Sequence, residues 1–564
     1  MRLAAAWATC LSVLLLWPAL GPGYVLTYDM VWVPDLRVGA DALGLGTALP
    51  RAVPSDAVVG VLDEVVPGTV LQKLVLLGAL VGGAVGAARL VDRLGTAGRL
   101  VAVTFWIWNP FVVERLAMGH WPVLVGYAVL PWLVVHAGRV TTAVSGDHAS
   151  RRSLLALGVL LPVGSLSASA GIASAVVVLA AGAGRSARRT LVLLGLVACA
   201  NAPWVVSGLA HHADATSGTS NADLFALAGE GGLPAPLTAL GLGGVWNSEV
   251  VPASRESVLA WVALVVLLAL AALGARSWWR QEEGRRRWAL VAVWAVGWSL
   301  AVLTWAAPDL LGHLAASVPG VGLLRDGSRL LGLCVPLATV LVAHGVTRLL
   351  SPELAPVPRV VLAAGLVVHP VALLPDAALG LSGRLDAVSY PPEYADLRRA
   401  VGDARGTDVV LLPFSAFRAP DWNDGRTVLD PLPRYLHPDA VTNDELIVAG
   451  TTIPGEDPRA REVAAALAAP TPAERSAGLA EAGVGVAVVD RTAPGPVPEL
   501  AGEVVHDGRW AAAIRLPGPV TEPPRGDGGA AVVVAWAAYV GLLAVGATGW
   551  VVGTVRRRMR DSAR

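Results

Sequence analysis

The chain has 564 residues, 54% of them apolar and only 15% charged, and its mean hydropathy is +0.59. That balance excludes an ordinary soluble globular protein. The 43 Lys and Arg residues are matched by 43 Asp and Glu residues, which removes any global electrostatic case for nucleic acid; Cys10, Cys199 and Cys334 all lie in apolar runs without disulfide or metal spacing.

The first apolar run, residues 4–20, resembles a signal peptide. Removing it would leave the next span starting on the wrong side for its arginine-rich exit, so it is read as an anchor. It leads into GYVLTYDMVWVPD, residues 23–35, which sets Asp29 and Asp35 among aromatic and aliphatic neighbours. A carboxylate at a membrane boundary can act as a general base when flanks such as Tyr28, Met30 and Trp32 desolvate it toward working pH. The alternative is a solvated loop acid, and Asp41, Asp56, Asp63 and Glu64 share the same loop.

A second span covers residues 68–88, and residues 100–138 read as two more folded back at NPFVVERLAMGHW, residues 109–121. Glu114, Arg115, His120 and Trp121 crowd this turn and must sit in headgroups, in a cavity or against one another. Glu114 and Arg115 are adjacent, so on a helix they diverge and call for separate partners. His120 alone reads first as a structural hydrogen-bonder. Residues 153–184 form a short pair around SLSASAG, either two spans or a re-entrant hairpin, and further spans lie near 190–208, 256–275 and 288–306.

GLLRDGSRLLGL, residues 322–333, then opens a span at 329–347. Arg325 and Arg329 stand at an end where the orientation bias disfavours cations, so an anion should compensate them. The phosphate of a lipid carrier suits the planar guanidinium fork; an internal pair with Asp326 is the alternative. Spans at 359–375 and 530–553 bracket residues 376–528, where composition shifts toward Pro, Asp, Glu and Arg. There TDVVLLPF and VGVAVVD read as strands, DPRAREVAAALAAP and PAERSAGLAEAG as helices. PFSAFRAPDWNDGRTVLDP follows the first strand, at the carboxyl end where α/β layers bind ligands.

Arginines orient the set: Arg89, Arg93 and Arg99, Arg139, Arg151 and Arg152, Arg185, Arg188 and Arg189, the RSWWRQEEGRRR loop and the VRRRMRDSAR tail are all cytoplasmic by the positive-inside rule. Both termini are then inside, and the count closes at about twelve spans. The expected architecture is an all-α polytopic membrane domain (1–375), a small extracytoplasmic α/β domain (376–528), and a last transmembrane helix with a basic tail (529–564). No GxxxxGK[ST] or GxGxxG signature occurs, so chemistry belongs at the outer face. Of the 20 tryptophans most suit an interfacial belt; Trp32, Trp246 and Trp422 fall in external loops, where indole can stack on a sugar.

An aspartate-bearing external loop after the first span, the NPFVVERLAMGHW turn, the LLRDGSR segment, many spans and a C-terminal external domain together resemble the GT-C class of integral-membrane glycosyltransferases. The likeness is to actinobacterial polyprenyl-phosphate-sugar-dependent enzymes of cell-wall biogenesis, including arabinofuranosyltransferases. The family's paired acids after the first span are absent at Asp29, which leaves Asp35 and the Asp63–Glu64 pair as rival bases. The resemblance implies a polyprenyl-phosphate-linked sugar donor, a glycan or glycolipid acceptor, Asp29 or Asp35 as base, and Arg325 and Arg329 on the lipid phosphate. Glu114, Arg115, His120, Trp121 and Trp32 complete the expected substrate-binding set. A divalent metal occurs in the class, but no acid spacing here argues for one. The rival readings are a transporter or lipid flippase, disfavoured by the lack of a half-repeat, and a noncatalytic envelope-assembly protein.

Overall fold

The structure, a computed structural model, describes residues 1–564 apart from 48, 141–147, 185, 212–218, 351–352, 403–405, 449, 523–527 and 563–564. Arg185 and the side chains of the 556–564 tail, both read above as cytoplasmic, lie outside the described residues.

Among the described residues, nine helices have at least 18 residues and the composition to cross a membrane: Arg2–Leu20, Gly68–Leu90, Thr96–Ala117, Trp121–Val140, Ala187–Ala210, Val258–Gln281, Gly284–Ala306, Pro356–Leu373 and Gly529–Val555. This is a multi-pass membrane protein. A tenth span results if Gly327–Leu333 and Val335–Leu349, bent by 44°, count as one. The 153–184 region forms two helices too short for that length, His148–Val163 and Ala168–Gly182, joined by a tight turn in which Ser174 Oγ donates to Gly164 O at 2.9 Å. Apolar side chains face outward on the peripheral helices, as at Val357, Val360 and Val361, each at least 66% exposed. In water such a surface would aggregate; in lipid it is the ordinary exterior.

The Thr96–Ala117 and Trp121–Val140 helices are the most enclosed. Asn109 breaks the first of them. Its side chain accepts from Val112 N at 3.1 Å to cap a new helix, Pro110–Ala117, whose first position is the proline that favours helix starts. The Asn109 amide also donates to Phe105 O and Trp106 O, satisfying carbonyls freed by the break. ERLAMGHW is therefore not a headgroup-level turn: Glu114 and Arg115 lie on a buried helix, and only Met118–His120 form the reversal.

The C-terminal region is built on a five-stranded sheet in the order Glu503–Asp507, Ala511–Arg515, Val484–Asp490, Asp408–Leu412, Ala440–Val441. Asp408–Leu412 runs parallel to both of its neighbours, and the remaining pairs are antiparallel. Alternation sorts the Asp408–Leu412 strand: Val410 and Leu412 pack with Val463 and Leu479 of helices Pro458–Leu467 and Pro472–Glu481, while Val409 and Leu411 join the core that continues into the helical region.

The two regions are stitched together through the loop after the first helix. Tyr24–Val25 pairs antiparallel with Ala387–Val388. Ion pairs run from Asp35 to Arg398 (2.7 Å), Arg37 to Asp439 (3.1 Å) and Asp56 to Arg434 (2.7 Å). Two acids of this loop, Asp35 and Asp56, and its Arg37 fasten the sheet region to it.

Candidate functional site

The site begins with Gly119. Its φ of +74° lies in the left-handed region, and a Cβ there would meet Met30 N at 2.1 Å and Thr27 O at 2.3 Å. Glycine thus lets the first loop lie directly on the helix reversal. Thr27 Oγ1 donates to Ala117 O at 3.0 Å, and Asp29 N donates to Met118 O at 3.1 Å. From the other side, Tyr28 N donates to Thr427 O at 2.7 Å and Leu429 N donates to Tyr28 O at 2.8 Å. The PFSAFRAPDWNDGRTVLDP segment, expected to line a ligand crevice, instead backs the acid-bearing loop.

This arrangement delivers Asp29 to His120, with Asp29 Oδ2 3.1 Å from Nε2. Behind the ring, Arg115 Nη1 reaches His120 Nδ1 at 3.2 Å and Arg115 Nη2 donates to Ser328 Oγ at 3.2 Å. Ser328 Oγ donates to Asp326 Oδ1 at 2.5 Å, and Arg329 Nε donates to Asp326 Oδ2 at 2.7 Å. Arg329 Nη2 lies 3.4 Å from His120 Nε2, which closes the ring of contacts. Residues near positions 29, 115–120 and 326–329 form one network. Arg115 is fully buried and His120 4% exposed, but the Asp29 and Arg329 side chains are 42% and 33% exposed. The network therefore has a sealed back and an open front.

Charge sets the protonation states. Burial alone would lift the Asp29 carboxyl, but the His120 hydrogen bond, with Arg329 and Arg434 nearby, turns the balance and holds it below its ordinary value. Asp326 is also held low against its own burial, by Arg329 and Arg115. His120 moves from 6.5 down to about 4, by burial first and then by the field of Arg329. At neutral pH the front carries an ionised carboxylate and a neutral imidazole. Asp29 is not lifted toward working pH by its apolar flanks; the ionic network overrides them.

Several expected site residues go elsewhere. Asp35 is 67% exposed and paired with Arg398, so it does not share the opening with Asp29. Asp63 accepts from Leu36 N at 2.9 Å and serves the loop's own backbone. Trp32, 1% exposed, packs against Trp121 with ring centroids 5.1 Å apart; both are core rather than sugar platforms. Arg325 lies over the Phe225 ring at 4.5 Å, beside the Arg329–Asp326 pair whose charges it feels. The internal pairing with Asp326 holds for Arg329, whose side chain nevertheless stays 33% exposed.

Glu114 does not fully diverge from Arg115: its Oε2 stays 4.0 Å from Arg115 Nη2, contrary to the separation expected of adjacent helical residues. It accepts from Val245 N at 3.3 Å, next to Glu230, which receives Arg255 Nε at 2.7 Å. Gly243 permits this approach: a Cβ would stand 2.6 Å from both Glu230 oxygens and 2.9 Å from Glu114 Oε1. Glu230, Arg255, Ser328 and Gly119 were missed in the sequence reading; a glycine inside MGH, at a forced reversal, was the one usable signal.

Among the described residues no group of three or more His, Cys, Asp or Glu side chains is placed to hold a metal ion. The acids of the network are already met by guanidinium and imidazole donors, a set that does not fit a cation.

No family model matches the chain, and no curated protein does. Two solved structures share its fold, both single-particle cryo-EM structures of the arabinofuranosyltransferase AftD from mycobacteria, the second of a mutant. They match at TM-scores of 0.57 and 0.54 with 18% and 17% identity over 93% of this chain. This chain spans 40% and 42% of their lengths, so what it shares with AftD is the fold of less than half of that protein.

Proposed function

We propose that the chain is a membrane glycosyltransferase that moves a sugar from a polyprenyl-phosphate donor to a glycan or glycolipid acceptor, with Asp29 as general base. The observation that carries this reading is the convergence of Asp29, from the first loop, with Arg329, some three hundred residues later, on the two sides of His120 Nε2 at 3.1 and 3.4 Å. The fold shared with an arabinofuranosyltransferase supports it.

In this reading the acceptor hydroxyl enters the open front and hydrogen-bonds to Asp29. Its oxygen attacks the anomeric carbon, a new glycosidic C–O bond forms, and the bond to the phosphate oxygen breaks with its electron pair leaving on the lipid phosphate. The hydroxyl proton passes to Asp29 late, once bonding to carbon has made that oxygen acidic, which is why a carboxylate of low proton affinity suffices. The outer nitrogens of Arg329, with Arg325 beside them, meet the charge growing on the phosphate; fixed cations facing developing charge supply a large share of such rate gains. In this reading both termini are cytoplasmic and the sheet region and Asp29 lie outside; the two short helices either complete the twelve expected spans or enter and leave on one side, which keeps the same orientation.

The test is transfer from a polyprenyl-phosphate sugar to an acceptor glycan by purified protein. Asp29→Asn, isosteric and still able to hydrogen-bond, is expected to lower kcat by about 10²–10⁴-fold with little change in thermal stability. Unimpaired turnover in this variant removes the base assignment.

A further inference from the structure

We infer that Arg115 fixes the tautomer of His120, and that His120 acts on Asp29 as a positioning hydrogen-bond donor which presents one chosen carboxylate oxygen to the acceptor. The inference rests on the reading of Asp29 as the base and adds what holds it.

A guanidinium group has donors only. Arg115 Nη1, 3.2 Å from His120 Nδ1, therefore requires a lone pair there, which places the imidazole proton on Nε2. That proton points at Asp29 Oδ2, 3.1 Å away, an acceptor-only atom when ionised. The other tautomer would set donor against donor at Arg115 and lone pair against lone pair at Asp29. The 3.4 Å contact from Arg329 Nη2 would ask for a lone pair on Nε2 instead, but it is the longest of the three, and Arg329 already has its own anchor through Nε on Asp326, so the two shorter contacts set the tautomer. Arg115 cannot swing away: it is fully buried, held on its other arm by Ser328 Oγ and faced by Asp326 at 3.7 Å.

The charged groups around the ring are thus Arg115 on its own helix, Asp29 from the first loop, and Asp326 and Arg329 from the later segment. Burial first, and then the two cations, keep the ring from taking a second proton, so His120 is not the base and relays no proton. It occupies Oδ2, while among the described residues Oδ1 accepts no hydrogen bond and is left on the open side.

Two substitutions separate donor placement from bulk. His120→Gln keeps an N–H at the reach of Nε2 and an oxygen able to accept from Arg115; His120→Asn is too short to meet Asp29. The expected result is kcat within about tenfold of the parent for Gln and down about 10²-fold for Asn, with donor KM little changed in both. The pH profile of kcat in the parent protein is expected to lack an imidazole step near 6.5 and to superimpose on that of His120→Gln. Equal loss in both variants, or a step near 6.5 that vanishes in His120→Gln, overturns the inference while Asp29→Asn remains inactive. An active Asp29→Asn defeats the base assignment instead. Should neither histidine variant fold, the parent's pH profile decides by itself.

Discussion

Glu114 and Arg115 are consecutive on one buried helix, and each seeds an ionic cluster. The Glu114 cluster, with Glu230 and Arg255, is closed on all sides: the three side chains are each at most 2% exposed. The Arg115 cluster is as tightly bonded at its back but ends in Asp29 and Arg329, both open. Burying charge is costly and rarely adds net stability over an apolar core. The closed cluster therefore reads as a structural lock, holding the 227–256 segment against the helix. The open one keeps unspent bonding capacity at its front, which is what a site for an incoming hydroxyl and a departing phosphate needs.

Removing a charge from each cluster should separate the two roles. Arg255→Leu strands the buried Glu230 without its cation and is expected to cost about 3–5 kcal/mol, read as a lower unfolding midpoint in detergent. Glu230→Gln combined with Arg255→Leu should recover a large part of that loss, since the stranded charge goes with its partner. Asp29→Asn should leave the same midpoint nearly unmoved while abolishing turnover. A midpoint loss shared equally by both clusters would erase the distinction.

A smaller effect follows from pH. His120 is neutral in the folded protein down to about 4 but takes a proton at its ordinary 6.5 when unfolded. Between those values the unfolded state binds more protons, so stability falls as pH drops from 6.5 toward 4, by about 3 kcal/mol in all. The depressed carboxyls of Asp29 and Asp326 add a further loss below that window, as pH falls through their folded values. Unfolding midpoints measured across pH should show the first decline in the parent protein and a flatter curve in His120→Gln.

What could be read in advance divides along physical lines. The strands Asp408–Leu412 and Val484–Asp490 and the helices Pro458–Leu467 and Pro472–Glu481 stand where short apolar runs bounded by turn residues and helical patterning put them, because those signals are local. Helix geometry pointed to separate partners for Glu114 and Arg115, which they have, but not to the 4.0 Å pair that still joins them. Arg329 could be singled out because a cation on the wrong side of a span needs an anion. The fates of Asp29 and Asp35 could not be separated: both sit in one loop with similar neighbours, and what distinguishes them arrives from residues 120 and 398. Arg255 and Glu230 carry no periodic signal, lying in irregular segments folded between helices. The short helices His148–Val163 and Ala168–Gly182 were equally ambiguous, since a span is recognised by length and these fall below it.

The smallest expected effect is at Asp35, and it bears on whether the open cluster is selective. Its carboxylate is 67% exposed and meets Arg398 at 2.7 Å, on the seam between the first loop and the sheet region. Exposed pairs of this kind contribute about 0–1 kcal/mol. Arg398 keeps a second hold there, donating through Nη2 to Asp35 O at 3.3 Å, and its guanidinium lies over the Tyr435 ring at 4.8 Å. Asp35→Ala should therefore leave transfer within about twofold of the parent and lower the unfolding midpoint only slightly. Seam pairs at Arg37 and Asp56 remain to hold the loop. A loss of turnover at Asp35 comparable to that at Asp29 would mean that loop attachment, rather than the carboxylate beside His120, limits the reaction.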